Sequence, residues 1–251
     1  MGEQLSFANH LFEEGDYFRA ITEYKRFIFL SSSSEEKLFA KKRILSSYKK
    51  AHRYDDALDY INTFQNEVFK DMESGKLLLL KGNREKARFH FNNSHSDTSR
   101  ILEGWSYIEE GNWKESTKQF SLISEDTPLY TTAQKLKLYT LKAEKGIEQK
   151  NIVLSAIFSS IVPGAGRFYT GRAGDGFYSF LTIAIPGALS YFYWQEDRKR
   201  ASSIAISITA LFYAGNIYGS IISAKAFNNI KKNEYKEMIE KDLSIKERFI
   251  K

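Results

Sequence analysis

Hydrophobic and polar positions follow a helical period up to about residue 146, and beyond it long uncharged apolar runs replace that alternation. In the first stretch, apolar residues return every three or four positions in short runs broken by glycine or polar turns, the signature of amphipathic helices buried on one face. The run FANHLFEEGDYFRAITEYKRF places Ala8, Leu11, Tyr17, Ala20, Tyr24 and Phe27 on such faces around Gly15. A second copy carries Ile44, Leu45, Tyr48, Tyr54, Ala57, Ile61 and Phe64, and a shorter third carries Gly75, Leu78, Gly82, Ala87 and Phe91. The fourth has Gly104, Tyr107, Gly111, Trp113, Ser116 and Phe120, with Pro128 after it. Each copy predicts a helix, a turn and a second helix. Small residues at Ala8, Ala20, Ala57, Gly75, Ala87 and Gly104 let the two helices cross closely. A further helix near residues 130–145, with Leu136, Leu138, Leu141 and Ala143, closes the open end.

After residue 150 the charges thin out. Residues 151–162 are apolar but too few to cross a hydrocarbon layer of about 30 Å, so they predict an interfacial or re-entrant helix ending at Pro163. The stretch PGAGRFYTGRAGDGFYSFLT then crowds Gly164, Gly166, Gly171, Gly174 and Gly176 around Arg167, Phe168, Tyr169 and Arg172. Glycines permit close backbone approach, and arginine mixed with aromatic rings suits headgroup depth. Residues 177–194 are uncharged and reach about 27 Å as a helix, with Pro186-Gly187 predicting a kink. A charged turn at 195–200 leads to residues 201–224, uncharged and about 36 Å long as a helix, the clearest candidate span. Together they predict a transmembrane helical hairpin. Asn216, beside Gly215 and Gly219, is a polar amide at mid-span depth and is expected to face a partner helix. Residues 229–251 alternate charges at helical spacing and read as an exposed or membrane-surface helix.

Both halves resemble known families. The small residue of each second helix, at Ala20, Ala57, Ala87 and Ser116, recurs at steps of 37, 30 and 29 residues. These straddle the ~34 residues of a tetratricopeptide repeat, and the copies resemble that family. The resemblance implies a curved solenoid whose concave face, lined by first helices, holds a peptide or partner domain. By repeat register the lining comprises Asn9, Phe12, Glu13, Ser46, Lys49, Lys50, Trp105 and Ile108, with Phe12 and Trp105 as aromatic anchors or as contacts between neighbouring repeats. The cationic clamp that some members use on a terminal carboxylate is not expected, because Leu5 stands where it needs lysine. The run Gly166-Arg167-Phe168-Tyr169-Thr170-Gly171-Arg172, with Gly176 beyond it, resembles the two-helix TM2 domain. Together with Ser159 or Ser160, Pro163 and Gly164, it is also similar to the opening of bacterial envelope proteins that carry this module behind helical repeats. Where TM2 modules often place an aspartate in the second span, this chain has Asn216.

Composition narrows the picture further. A mean hydropathy of −0.43 looks soluble only because charge is concentrated in the first half. The net charge of +6 suits an anionic membrane surface, and no zinc spacing or aromatic RNA signature argues for nucleic acid. The absence of cysteine excludes disulfides and thiolate metal sites. His10, His52, His90 and His95 lack metalloprotease spacing; His90, His95 and Asp97 read as a loop rather than a metal site. GAGRFYTG lacks the lysine and hydroxyl of a phosphate loop. No cofactor, metal or catalytic residue is therefore expected.

The first ten residues are polar and give no signal peptide. Either the hairpin inserts by itself or an export signal has been trimmed. Basic residues flanking the hairpin, Arg167, Arg172, Lys225, Lys231 and Lys232, narrowly outnumber Arg198, Lys199 and Arg200 in its turn, which favours repeats and tail in the cytoplasm. The expectation is an all-α chain: a tetratricopeptide-like solenoid at residues 1–146, a TM2-like membrane domain at 147–228 and a charged tail at 229–251. Its expected role is a non-enzymatic scaffold at the bacterial inner membrane that binds a protein or peptide. The alternative is an oligomeric channel in which the glycine-rich entry and Asn216 line a path, with homo-oligomers forming through the membrane helices.

Overall fold

A computed structural model describes residues 2–250, which form helices joined by turns and short connections, with no strand among them. Helices α1 (Gly2–Glu13) and α2 (Tyr17–Leu30) form a first pair, followed by α3 (Ser34–Lys50) with α4 (Tyr54–Ile61), α5 (Glu67–Leu80) with α6 (Arg84–Ser94), and α7 (Asp97–Glu110) with α8 (Trp113–Ser121). Helix α9 (Tyr130–Gly146) follows them. The main packing runs between consecutive helices along the chain, so the pairs stack as a series.

The turns show why the pairs repeat. A left-handed residue stands at Gly15, His52, Gly82 and Gly111, each five residues before the small side chain, Ala20, Ala57, Ala87 or Ser116, that is wholly buried in the second helix. Glycine takes that conformation without Cβ strain, whereas His52 takes it at a cost. In three of the four copies the next residue, Asp16, Asn83 or Asn112, caps the second helix with its side chain. The close crossings are equally regular. A methyl group on Gly75 would meet the ring of Phe91 at 2.4 Å, and one on Gly104 would meet Phe120 at 2.4 Å. Both partners lie sixteen residues on, the interval that also separates buried Ala8 from Tyr24 and Leu45 from Ile61. In the second copy two aliphatic side chains of equal size, Leu45 and Ile61, fill the crossing in place of a glycine and an aromatic ring.

The chain divides into two compact units, one reaching Glu144 and also containing the segment from Ile239, the other spanning Lys145–Met238. The second holds α10 (Ile152–Ile161), α11 (Ala165–Tyr169), α12 (Ala173–Gln195) and most of α13 (Lys199–Leu243). Helix α12 continues through Pro186. Helix α13, at 45 residues, extends well beyond the expected span. It is the one described helix long and apolar enough to cross a membrane. Helix α12, the other arm of the expected hairpin, falls short of that measure because its serines, tyrosines and Pro186-Gly187 dilute it.

The tail departs from the expectation of an exposed or surface-lying helix. From Ile239 it belongs to the first unit, and Ile239, Leu243, Ile245 and Ile250 are all buried. The α-helix stops at Leu243, Ser244 turns left-handed at φ 49°, and a π-helical turn follows at Lys246–Ile250.

Candidate functional site: a buried polar seam and a buried tail

In the second unit the buried residues are mostly polar and the exposed ones mostly apolar. Ser155, Ser159, Thr170, Ser179, Ser202, Asn216, Ser220 and Ser223 are buried, against only Ile183, Ala205 and Ala224 among hydrophobic residues. Phe158, Ile161, Phe177, Ile204, Leu211 and Phe212 point outward. Only 17% of the apolar window in α13 is buried, the reverse of a core helix in a water-soluble protein. Inward-facing Ser202, Ala205, Asn216, Ser220 and Ser223 recur at intervals of three, eleven, four and three, one or three helical turns each, which makes one stripe along α13.

That stripe receives α10 and α11 through a continuous hydrogen-bond network. Ser155 Oγ donates to the carbonyls of Gly166 at 3.1 Å and Ser220 at 2.9 Å. The Gly166 amide donates to Ser159 Oγ at 2.9 Å, and the Ser159 and Ser220 hydroxyls bond each other. Asn216, 3% exposed, accepts from the Gly164 amide at 2.9 Å and donates to the Ser159 carbonyl at 3.0 Å. Thr170 and Ser223 share a bond of 2.6 Å. At the end of the seam, Asn228 holds both backbone groups of Lys150, at 2.7 and 3.0 Å. In a dry environment each of these groups needs a protein partner, and the seam supplies one.

The motif residues have distinct places in this arrangement. Gly164, at φ 86°, lies so close to Gly176 that an added Cβ would meet its carbonyl oxygen at 2.1 Å. A Cβ on Gly166 would meet the Ser155 carbonyl at 2.0 Å. Gly176 accommodates the Phe168 ring, and Gly171, at φ 80°, turns the chain into α12. Pro163 is half-buried just before that turn-rich stretch. The Tyr169 hydroxyl accepts from the Asn151 amide at 3.1 Å, while the Lys150 ammonium stands 5.1 Å from its ring centre. Arg172 pairs with Asp175. Arg167 reaches across to Gly219, where a methyl would collide with its guanidinium, and its Nε is out of solvent with no hydrogen-bond partner among the described residues. Asn216 therefore faces α10 and α11. An ionised aspartate there would present only acceptors, leaving the Ser159 carbonyl opposed by another oxygen.

The groove residues expected from repeat register separate into two groups. At one end Asn9 accepts from Tyr24 at 2.7 Å and from Arg43 at 3.4 Å. The Arg43 guanidinium lies 4.1 Å from the ring centre of buried Phe12 and pairs with Glu13 at 3.1 Å. Lys50 stays exposed, 5.8 Å from the same ring, and Ser46 is half-buried. Lys49 is engaged with Glu73 at 2.7 Å, and Lys76 bonds the other carboxylate oxygen at 2.7 Å. Burial pushes the Glu73 carboxyl up, but the two ammonium groups outweigh it and hold it below its ordinary value. At the other end Ile108 is fully buried and Trp105 is 1% exposed. The Lys246 ammonium sits 5.9 Å from the Trp105 ring centre and pairs with Glu109 at 2.8 Å.

Glu109 and the tail were not among the residues read from repeat register. Their contacts connect positions more than a hundred residues apart, so no local period announces them. The seam serines left a weak signal, in that Ser155 and Ser159 stand four apart and α13 carries its small polar residues in register. His90 bonds Asp71 at 2.7 Å, His95 ends α6 in the left-handed region, and Asp97 pairs with Arg100. Among the described residues no group of three metal-binding side chains converges. No family model, no curated protein and no solved structure matches the chain.

Proposed function

We propose that the chain is a membrane-anchored interaction scaffold: a tetratricopeptide-like solenoid that binds a protein or peptide, held at the bilayer by a TM2-like module. The observation that carries this reading is the inverted burial of the second unit, with serines and Asn216 inside and large apolar side chains outside. Such a surface is stable against hydrocarbon and costly against water. The serial stacking of helix pairs supports the interaction role, because stacked repeats present extended binding faces. The same reading makes the chain non-enzymatic. It places it in the bacterial inner membrane with the repeats in the cytoplasm, within an apparatus for envelope assembly, secretion or membrane-protein insertion. Both polar ends of Asn216 are spent on Gly164 and Ser159, which favours a packing role over a conducting one.

Flotation tests the anchor. The full chain, purified in detergent and returned to vesicles, should rise with lipid and resist carbonate extraction. A chain that is monodisperse in detergent-free buffer and stays at the bottom of the gradient overturns the reading.

A further inference from the structure

The tail lies on alternate helices of the first unit. Its π-helical turn packs on α5, Lys246 reaches Glu109 and Trp105 on α7, and Asp242 accepts a 3.0 Å bond from Tyr139 on α9. These are the first helices of successive pairs and the helix that follows them. Glu109 is shaped for this contact: Oε2 takes Arg84 at 3.0 Å, and Oε1 takes Lys246 at 2.8 Å. Trp105 and Glu109, one helical turn apart, share the face under the lysine.

The tail itself is folded for docking. The amide of Ser244 donates to the Glu240 carbonyl at 2.7 Å, and the amide of Lys246 donates to the Glu240 carboxylate at 3.0 and 3.2 Å. This hook fixes a non-glycine residue in the left-handed region, and it brings Ile245 and Ile250 under cover together with Ile239 and Leu243. A merely solvated charged tail does not bury four aliphatic side chains.

We infer that the segment from Ile239 to Ile250 is a tethered occupant of the repeat groove. The groove's external partner is a short amphipathic segment of the same chemistry, with aliphatic anchors followed by a lysine for Glu109, and it displaces the tail in order to bind. This rests on the scaffold reading above and names both the partner's chemistry and the step that gates it. A tethered segment competes at a high effective concentration, so an outside segment sees a groove that is open only part of the time.

The test uses the full chain in detergent and a fluorescein-labelled peptide of residues 237–251. The releasing variant carries Ile245→Asp and Lys246→Glu. Expected is peptide binding at least about tenfold tighter to the released chain than to wild type. Adding Glu109→Lys to the released chain should abolish that binding, and a peptide carrying Lys246→Glu should restore it. Equal binding to wild-type and released chains, or none to either, overturns the inference. Because the chain has no cysteine, Glu109→Cys with Lys246→Cys can be bridged by a short bis-maleimide. An intramolecular product is expected. Its absence, with both thiols reactive to monofunctional maleimide, also refutes the docked tail. Failure of the scaffold reading would appear instead in flotation, which leaves the peptide titration untouched.

Discussion

Replacing Gly166 by alanine should break the second unit, whereas the same change at Gly174, eight residues on, should leave it intact or firmer. At Gly166 the new methyl would lie 2.0 Å from the Ser155 carbonyl oxygen and 2.8 Å from both Ser159 Oγ and Ser220 Cβ. Relief requires α10 and α11 to separate by about 1.4 Å, the gap between 2.0 Å and the 3.4 Å at which ordinary contact begins. That movement stretches the Ser155–Gly166 and Ser159–Gly166 bonds beyond hydrogen-bonding range. Two lost bonds at about 1 kcal/mol each, with overpacking of about 1–3 kcal/mol, predict a loss of roughly 3–5 kcal/mol. At Gly174 nothing lies within 4 Å, and the helical backbone favours alanine by up to about 1 kcal/mol. Thermal unfolding in detergent, followed by tryptophan fluorescence, compares the variants. If both alanines unfold at the wild-type temperature, the close approach of α10 to α11 is wrong.

Other outcomes follow from the same contacts. Asn216→Leu strands the Gly164 amide and the Ser159 carbonyl and should cost about 2–3 kcal/mol in the same melt; Asn216→Asp should be damaging at neutral pH and milder in acid, where a protonated carboxyl can donate. The depressed carboxyl of Glu73 contributes stability that is present above the ordinary carboxylate pKa and lost as pH falls through its folded-state value. Lys49→Met, which leaves Lys76 as the remaining partner, should flatten that acid-side decline and destabilise the repeats by about 1–3 kcal/mol at neutral pH, read by circular dichroism against pH. Ser244→Gly removes left-handed strain of about 1 kcal/mol. It should tighten the docked tail and weaken binding of added tail peptide by up to about fivefold in the fluorescence titration.

How far the sequence announces this structure depends on the range of each interaction. The helix pairs were legible because their determinants are local: a residue suited to left-handed backbone, a cap directly after it in three copies, and a small residue five positions past the turn. His52 marks the edge of that legibility, since a histidine does the work of glycine there and the turn is visible only from its register. The apolar run in α13 was legible from its lack of charge, but the helix does not stop where the charge resumes. Lysine and glutamate three or four apart, such as Lys231 with Glu234 at 3.0 Å, carry it onward. The seam was half legible. The glycines announced close approach, while the serines that fill it are residues that elsewhere sit in water. Alternating charge in the tail reads as an exposed or membrane-surface helix, and its aliphatic positions acquire meaning only from helices far back in the chain.

The hooked tail also sets an order in time. Synthesis reaches Ile239 about ninety residues after α9 ends at Gly146, a delay of roughly 5–20 s at about 5–20 residues per second. Throughout that interval the first unit lacks the segment that packs on α5 and α7. On the inference above, a partner that arrives while the chain is still being made would meet no competitor; one that arrives afterwards would have to evict a rival that never diffuses away.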